Sequence, residues 1–325
     1  MSILNSNNFL YKTVDGVKQF FSPLVNASTV VLQDGSRLEK DGKIYVDQAV
    51  NAETFGGKEP KHYIQPRNLL DNSDFTNPVN QRGWTSGNGV YQYTIDRWTI
   101  GHSANESHLE IVEGVGVKIS PVSDSYVDFN QNLEFYSAMK GKTYTFACKD
   151  SDDNIYMKSF SIGCGSTGSI GKFELFSTDA RNVIIRYYGT VTLVWAALYE
   201  GEYTAENLPP YVPKGYGAEL MECQRYYWQA KDMFRIRCNQ CTGTVIDFLI
   251  NFPVPMRIEP QLILPSEAYI YTLNGTANSG FTLSSPTIAE AAISGYMMLR
   301  ATKSSHGLTD GWIGIPTGTG FSADL

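Results

Sequence analysis

Short strand-like segments separated by turns are the feature that most constrains how this chain folds. Segments rich in β-branched and aromatic residues recur at 109–112, 115–119, 144–148, 155–157, 172–176, 183–188 and 191–199. Many short strands at regular spacing are typical of antiparallel sandwiches. Prolines at 209, 210 and 213 end the pattern, because proline cannot donate to a strand ladder. The sequence therefore predicts a β-sandwich over residues 68–213.

Composition favours a mainly β protein with more than one domain. The 325 residues are enough for two ordinary domains and an extension, and 13% of them are aromatic. We expect a slender amino-terminal region over residues 1–67, the sandwich, and a second β domain over residues 214–325. Helix is predicted only at 218–228, where Leu220, Cys223 and Tyr227 follow a helical spacing.

Charge excludes some classes of function. A net charge of −7 argues against a nucleic-acid binder and against binding to anionic membranes, since both need a basic surface. The sequence has no apolar run of membrane-spanning length, and its first residues do not look like a signal peptide. The five cysteines are scattered and odd in number, so we expect reduced thiols and synthesis in a cytoplasm.

The amino-terminal region holds short apolar pieces that are too thin to form a core within one chain. These pieces are Phe20 with Phe21, residues 30–32, residues 44–46 and Phe55, and Asp-Gly turns lie at 34–35 and 41–42. The region is therefore either a flexible linker or a part that is buried only when several copies assemble.

Three stretches resemble metal or phosphate sites only in part. Cys238 and Cys241 have the spacing of half a zinc site, but no second pair completes it, so two thiols in a turn are expected. The Gly-x-Gly-x-x-Gly sequence at 163–168 precedes a strand pattern, which predicts a loop without phosphate binding. Residues 150–154 imitate the start of a calcium loop, but Ile155 replaces the required glycine, so a hairpin turn is predicted.

Aromatic and amide residues in flexible sequence are candidates for sugar binding. Aromatic faces stack on the C–H side of a sugar, and amides bind its hydroxyls. The candidate glycan-binding residues are Trp84, Tyr91, Tyr93, Asn88, Gln92 and, in a predicted loop of the last domain, Trp312. For Trp84 the alternative is packing at the sandwich edge, whereas Trp98 and Trp195 lie within strand patterns and are expected in the core.

A hydrolase would need two carboxylates facing each other across a cleft. Asp96, Glu106 and Glu110 are available, but the sequence does not bring them to one place. We find no nucleophile elbow, metal-binding histidine pair or Cys/His signature. No catalytic residue and no cofactor are therefore predicted.

Several short motifs resemble one family. They are Asn-Leu-Leu-Asp-Asn at 68–72, Asn-Gln-Arg-Gly at 80–83, Asp-Arg-Trp at 96–98, Glu-Leu-Met-Glu-Cys-Gln-Arg-Tyr-Tyr at 219–227, Phe-Pro-Val-Pro-Met-Arg at 252–257 and Ala-Asp-Leu at 323–325. In this order they resemble phage and prophage tail-fibre proteins, as does Ala-Glu-Thr-Phe-Gly-Gly at 52–57. The opening at residues 68–75, followed by Trp84, is also similar to carbohydrate-binding jelly-roll modules.

The resemblance implies a receptor-binding protein of the virion. Residues 1–67 would attach to the tail baseplate or other virion proteins, the jelly-roll-like sandwich would follow, and the last domain would form the receptor-binding tip. The resemblance also implies a homotrimer that binds host cell-surface glycan without catalysis, and it leaves room for a structural calcium ion. The alternatives are a purely structural baseplate or neck-decoration protein and a cell-surface glycan hydrolase.

Overall fold

The computed structural model divides the chain into two compact units, Met1–Pro66 and Arg67–Leu325. In the first unit the described residues, apart from Pro66, form β1 (Ile3–Leu4), β2 (Leu10–Val14), β3 (Val17–Phe21), β4 (Glu39–Lys40) and β5 (Lys43–Ile44). Strands β1–β3 form an antiparallel sheet, and β4 pairs with β5 in antiparallel fashion; the predicted Asp-Gly turn at 41–42 lies outside the described residues. Beyond them, the structure describes residues 66–324 except 102–105, 124, 166–167, 233, 243, 265–268, 275–276, 283, 293–294 and 303–311.

Two antiparallel sheets make up the first part of the second unit. The elements are β6 (Ser86–Gly89), β7 (Gln92–Tyr93), β8 (Trp98–Ile100), β9 (Ser107–Val112), β10 (Gly116–Pro121), β11 (Val127–Asn132), α1 (Tyr136–Met139), β12 (Thr143–Asp150), β13 (Ile155–Ser161), β14 (Phe173–Thr178), β15 (Asn182–Tyr187) and β16 (Val191–Glu200). One sheet has the order β13-β12-β16-β10-β9-β6, and the other has the order β14-β15-β11-β8-β7.

One hydrophobic core joins these sheets, which therefore form a β-sandwich. Val117, Phe146 and Leu193 enter it from the first sheet, and Trp98 and Phe129 enter it from the second. The rings of Trp98 and Phe129 stack with their centroids 4.6 Å apart. The predicted core positions of Trp98 and Trp195 are confirmed, since both side chains are buried.

The last part of the unit adds a helix and further antiparallel strands. They are α2 (Tyr216–Gln224), β17 (Tyr227–Gln229), β18 (Phe234–Cys241), β19 (Val245–Asn251), β20 (Gln261–Ile263), β21 (Tyr269–Asn274), β22 (Ala277–Thr282), β23 (Ser284–Ala292), β24 (Tyr296–Thr302), β25 (Trp312–Ile315) and β26 (Gly320–Ser322). A seven-stranded sheet has the order β22-β21-β25-β18-β19-β24-β23, and a small sheet has the order β17-β26-β20. A second core includes Phe248, Leu299 and Phe321. The mainly β fold class is thus confirmed.

The predicted helix is shorter than its apolar spacing indicated. Helix α2 ends at Gln224, and Tyr227 instead begins β17, where it pairs with Ser322 of β26. Aromatic residues favour strands, and the ring of Trp228 stacks on Phe321 in the second core. Packing against β26 therefore overrides the helical pattern in this segment.

The structure also shows where the cysteine pair and the glycine sequence lie, which resemble metal and phosphate sites only in part. Cys238 and Cys241 lie in β18, opposite Phe248 and Ile246, so the predicted turn is wrong, and their side chains lie outside the described residues. The glycine sequence at 163–168 lies between β13 and β14, as the loop prediction required.

Asp150 closes the hairpin between β12 and β13, which confirms the predicted turn. Its carboxylate accepts hydrogen bonds from the backbone N–H groups of Asp152 and Asn154 at 3.0 and 2.9 Å, and from the Tyr156 hydroxyl at 3.1 Å. These contacts use the carboxylate of Asp150, the first residue of the calcium-like sequence, to hold the hairpin turn.

Candidate functional site

The predicted sugar-binding aromatics do not form one exposed surface. Strands β6 and β7 are edge strands of the two sheets, and residues 90–91 connect them. Tyr91 in this connection is 61% exposed, whereas Trp84 and Tyr93 are half-buried. Of the predicted amides, Asn88 lies in β6 and Gln92 in β7, and both are exposed.

Trp84 packs at the sandwich edge. Its ring lies against the sandwich core, and its indole N–H donates to the Leu109 carbonyl at 3.2 Å. The Asn80 side chain brackets its backbone, accepting from Trp84 N at 2.9 Å and donating to Trp84 O at 2.6 Å. A Cβ atom at Gly87 would lie 3.1 Å from the ring, so a glycine there lets the strand approach the indole closely. These contacts favour the packing interpretation of Trp84.

The other candidates have different surroundings. Tyr93 lies beside the Arg82 guanidinium, whose central carbon is 4.6 Å from the ring centroid. Asn88 contacts Nδ1 of His108 at 2.6 Å on the sheet edge. Trp312 begins β25, opposite Arg237, so its prediction as a loop residue is wrong, and its side chain lies outside the described residues.

A polar junction between the sandwich and the elements that follow it is the most developed site in the second unit. Asn72 adopts a positive φ of 50°, which asparagine tolerates better than most residues. Its side chain bridges Val79 and Asp96, donating to both carbonyls at 2.8 and 2.7 Å. Its backbone N–H donates to the Glu219 carboxylate of α2 at 2.6 Å. One motif residue therefore holds a turn of the sandwich and docks the helix.

Arg97 is the buried cation of the junction. Its side chain is 2% exposed, and its φ of 72° is unusual for a residue other than glycine. Nε donates to Asp71 at 3.1 Å, NH2 donates to the Asn132 carbonyl at 2.7 Å, and the guanidinium lies over the Tyr226 ring. Burial disfavours ionisation of Asp71, but Arg97 and Lys214 outweigh burial, so the pKa of Asp71 lies below its usual value. Asp71 and Arg97 are therefore a charged pair.

Three further contacts tie the last part of the unit to the sandwich. Arg225 donates two hydrogen bonds to Glu134, at 3.0 and 2.8 Å, and the Tyr226 hydroxyl donates to the same carboxylate at 2.7 Å. Gln81 donates to the Tyr227 carbonyl at 2.7 Å. A bidentate Arg–carboxylate pair fixes orientation as well as distance.

The carboxy-terminal residues join the same junction. Arg82 donates to the Asp324 carboxylate, and its guanidinium lies 3.6 Å from the Tyr227 ring centroid. Ala323 N donates to the Tyr226 carbonyl at 2.6 Å, and Arg257 N donates to the Arg225 carbonyl at 2.8 Å. Each of the motifs at 68–72, 80–83, 96–98, 219–227, 252–257 and 323–324 thus contributes at least one residue to the junction or to the cores beside it.

Two carboxylates at the junction are buried and have raised pKa values. Burial raises the pKa of Asp96 to about 6, although the Gln81 N–H and Arg82 favour its ionised form. Burial likewise raises the pKa of Glu219 to about 7 against the opposing effect of Lys214. Both groups hold a proton more tightly than a solvated carboxyl would.

A cavity of about 280 Å³ opens at this junction. Four cations and four carboxylates line it, and each cation forms an ion pair with one of the carboxylates. The pairs are Arg67 with Glu222 at 3.1 Å, Arg97 with Asp71 at 3.1 Å, Lys142 with Glu200 at 3.5 Å and Arg225 with Glu134 at 2.8 Å. Apolar groups, among them Leu69, Phe135 and Met139, form the rest of the wall.

The carboxylates considered for hydrolysis have different surroundings. Asp96 is buried in the junction, Glu106 is exposed, and Glu110 is half-buried and paired with Lys118. No group of three or more His, Cys, Asp or Glu side chains that could hold a metal ion occurs among the described residues. Within the same residues, no helix is long and apolar enough to cross a membrane.

Comparison of the chain with protein-family models, with curated proteins and with solved structures gave no match. The resemblance to tail fibres therefore rests on the short sequence motifs alone.

The sequence did not indicate the cavity. Phe135 and Glu134 follow β11 in a stretch without a recognisable motif. Arg97 and Arg225 lie inside motifs, but their partners are distant along the chain. An arginine directly before aromatic residues, as in Asp-Arg-Trp at 96–98 and Arg-Tyr-Tyr at 225–227, was the signal that could have marked these cations as partners of enclosed acids.

Proposed function

We propose that this chain is a tail-fibre, receptor-binding protein of a phage or prophage, which binds host cell-surface glycan without catalysis. The observation that carries the proposal is that the motifs between residues 68 and 324 that resemble tail fibres contribute residues to one polar junction, whereas the motif at 52–57 lies outside the described residues. In this proposal, residues 1–67 attach the protein to the tail baseplate or other virion proteins, and the protein acts as a homotrimer on the virion.

The junction supports the proposal because it gives the motifs a shared physical role. Short matches that arose by chance over this length of chain would not be expected to contact one another. Here Asn72 contacts Glu219, Gln81 contacts Tyr227, and Arg82 contacts Asp324. We infer that the motifs encode one way of docking a terminal β domain onto a sandwich, an arrangement that the resemblance implies for tail fibres.

We further propose that the sandwich has a jelly-roll-like fold. Such a sandwich is a suitable scaffold for glycan binding. Antiparallel sandwiches present loops and edges on which binding residues are placed, while the two sheets keep the scaffold rigid. Binding without catalysis is favoured because Asp96 is enclosed in the junction, while Glu106 is exposed and Glu110 is paired with Lys118 in the sheet. Two hydrolytic carboxylates would have to face a common cleft.

A glycan array with reducing-end release measured in parallel tests this function. We expect the full-length protein to bind a subset of cell-surface glycans and to release no reducing ends. Release of reducing ends would identify a glycan hydrolase. Absence of binding, together with a position at the baseplate or neck in labelled virions, would identify a structural protein.

A further inference from the structure

The junction cavity combines a neutral charge balance with unused hydrogen-bonding capacity. Its four lining cations and four lining carboxylates are equal in number. Behind the wall, Lys214 pairs with the lining carboxylates of Asp71 and Glu222, at 3.5 and 2.5 Å, and lies 4.0 Å from the Glu219 carboxylate, which supplies a further countercharge when it is ionised. A guanidinium has five N–H donors and a carboxylate has about four lone-pair sites, so an ion pair leaves some of both free. Several members of the pairs are open to solvent: Arg67 is 73% exposed, Arg225 40% and Glu200 63%.

Such paired groups suit hydroxyls on adjacent carbons. Each hydroxyl both donates and accepts a hydrogen bond, so neighbouring hydroxyls need donors and acceptors side by side. A negatively charged ligand would fit poorly, because its charge would add to four carboxylates whose countercharges are already engaged. The chemistry of the cavity therefore favours a polyhydroxylated, uncharged ligand.

An exposed aromatic ring completes the cavity. Phe135, which immediately precedes α1, lines the cavity and is 66% exposed. An aromatic ring beside polar groups can stack on the C–H face of a sugar. The volume of about 280 Å³ lies near the lower end of the range for ligand pockets, roughly 300 to 1,000 Å³, so one small unit fits.

We propose that this cavity binds one uncharged sugar residue of a glycan, with Phe135 stacking on the sugar ring and the ion pairs contacting its hydroxyls. The inference rests on the proposed glycan-binding function and names its ligand class and its place. It places the binding site at the junction instead of at the edge strands β6 and β7, near Trp84 and Tyr91.

Calorimetric titration of the full-length protein tests the ligand class. The probes are the methyl glycosides of glucose, galactose, mannose and N-acetylglucosamine, with glucuronic and galacturonic acids as charged counterparts. We expect a neutral glycoside to bind and the uronic acids to bind at least several-fold more weakly. Tighter binding of a uronic acid would overturn the inference, as would a lack of binding to every probe.

Two matched variants test the place. Phe135→Ala and Tyr91→Ala each remove an exposed aromatic, so both proteins should fold. We expect Phe135→Ala to weaken glycoside binding by about tenfold or more and Tyr91→Ala to leave it within about twofold, since a stacking aromatic commonly dominates such binding. The reverse result would place the site at Tyr91, beside the edge strands β6 and β7.

A charge variant tests the role of the ion pairs. Glu200→Gln removes an exposed carboxylate and leaves the cavity with one extra positive charge. We expect the affinity for uronic acids to rise about fivefold relative to that for the neutral glycoside, as one added charge near the ligand would produce. An unchanged ratio would overturn the assignment of charge balance as the basis of selectivity.

Adsorption to host cells separates this inference from the proposed function. If adsorption is competed by purified surface glycan while Phe135→Ala has no effect, the function stands and the cavity is not the site. If the wild-type protein neither adsorbs nor binds any glycan, the proposed function itself fails.

Discussion

The guanidinium of Arg97 lies over the ring of Tyr226, with its central carbon 3.5 Å from the ring centroid. Arg97 belongs to the turn before β8, and Tyr226 follows α2, so the contact joins the sandwich to the last part of the unit. Asp71 neutralises the cation on the sandwich side. A buried charge is thus compensated partly within the sandwich and partly by an aromatic face supplied from outside it.

The first prediction concerns Arg97. Replacing it with alanine leaves Asp71 partly enclosed without its main countercharge, which should lower the free energy of unfolding by about 3 to 5 kcal/mol. Lys118→Ala is the control, because the Lys118–Glu110 pair lies half-exposed on a sheet surface and should contribute about 1 kcal/mol or less. Urea denaturation followed by tryptophan fluorescence measures both values. Equal effects of the two substitutions would contradict the role given to Arg97.

The second prediction concerns Trp84. Because its indole packs on the core and donates to Leu109, Trp84→Ala should lower the free energy of unfolding by about 3 kcal/mol. Tyr91→Ala should change it by less than about 0.5 kcal/mol, since Tyr91 is exposed. Thermal and urea denaturation of the two variants decide the matter. A fully stable Trp84→Ala protein with weakened cell adsorption would restore Trp84 as a glycan-binding residue.

The sequence predicts features that depend on neighbouring residues, but not contacts between residues that are far apart along the chain. The burial of Trp98 and the strand-rich character follow from short patterns, and the structure bears them out. The partnership of Asn72 with Glu219 spans 147 positions, so no local pattern contains it. Trp84 and Tyr91 have similar flexible sequence around them, and only the position of the Leu109 strand distinguishes a packed ring from an exposed one.

The third prediction concerns pH. Burial raises the pKa of Glu219 to about 7 from its ordinary 4.5, so the folded protein holds this proton more tightly than the unfolded chain. The contribution of Glu219 to the free energy of unfolding should therefore be largest below pH 4.5 and should fall as pH rises towards 7. Lys214, Asp71 and Glu222 are the charged groups that face it.

Glu219→Gln isolates this contribution. The amide oxygen can still accept the Asn72 N–H, but the side chain no longer ionises. Between about pH 5 and pH 8, the wild-type protein should lose on the order of 2 kcal/mol more unfolding free energy than the variant. Asp96 titrates in the same direction in both proteins, so it cancels from the comparison. Parallel pH profiles for the two proteins would refute a raised pKa at Glu219.

The last prediction is that the protein is a homotrimer assembled through its amino-terminal region. The described strands of the first unit form a three-stranded sheet and a two-stranded hairpin, and residues 30–32 and Phe55 lie outside the described residues. Sheets this small need additional apolar surface to be stable in water. Three copies around one axis would supply that surface to Phe20, Phe21 and Ile44 in a closed symmetric assembly. The number three follows from the tail-fibre resemblance.

Light scattering measures the molar mass, and hence the number of copies, of the full-length protein and of a shortened protein beginning at Asn68. We expect the full-length protein to have three times the monomer mass and a melting temperature that rises with protein concentration, because assembly and folding are coupled. The shortened protein should be a monomer that keeps the sandwich, its junction and the strands that follow, since Arg67–Leu325 is a compact unit of its own. A full-length monomer at micromolar concentration would refute the trimer. A shortened protein that remains trimeric would instead place the interface within residues 68–325 and remove only the role given to the first unit.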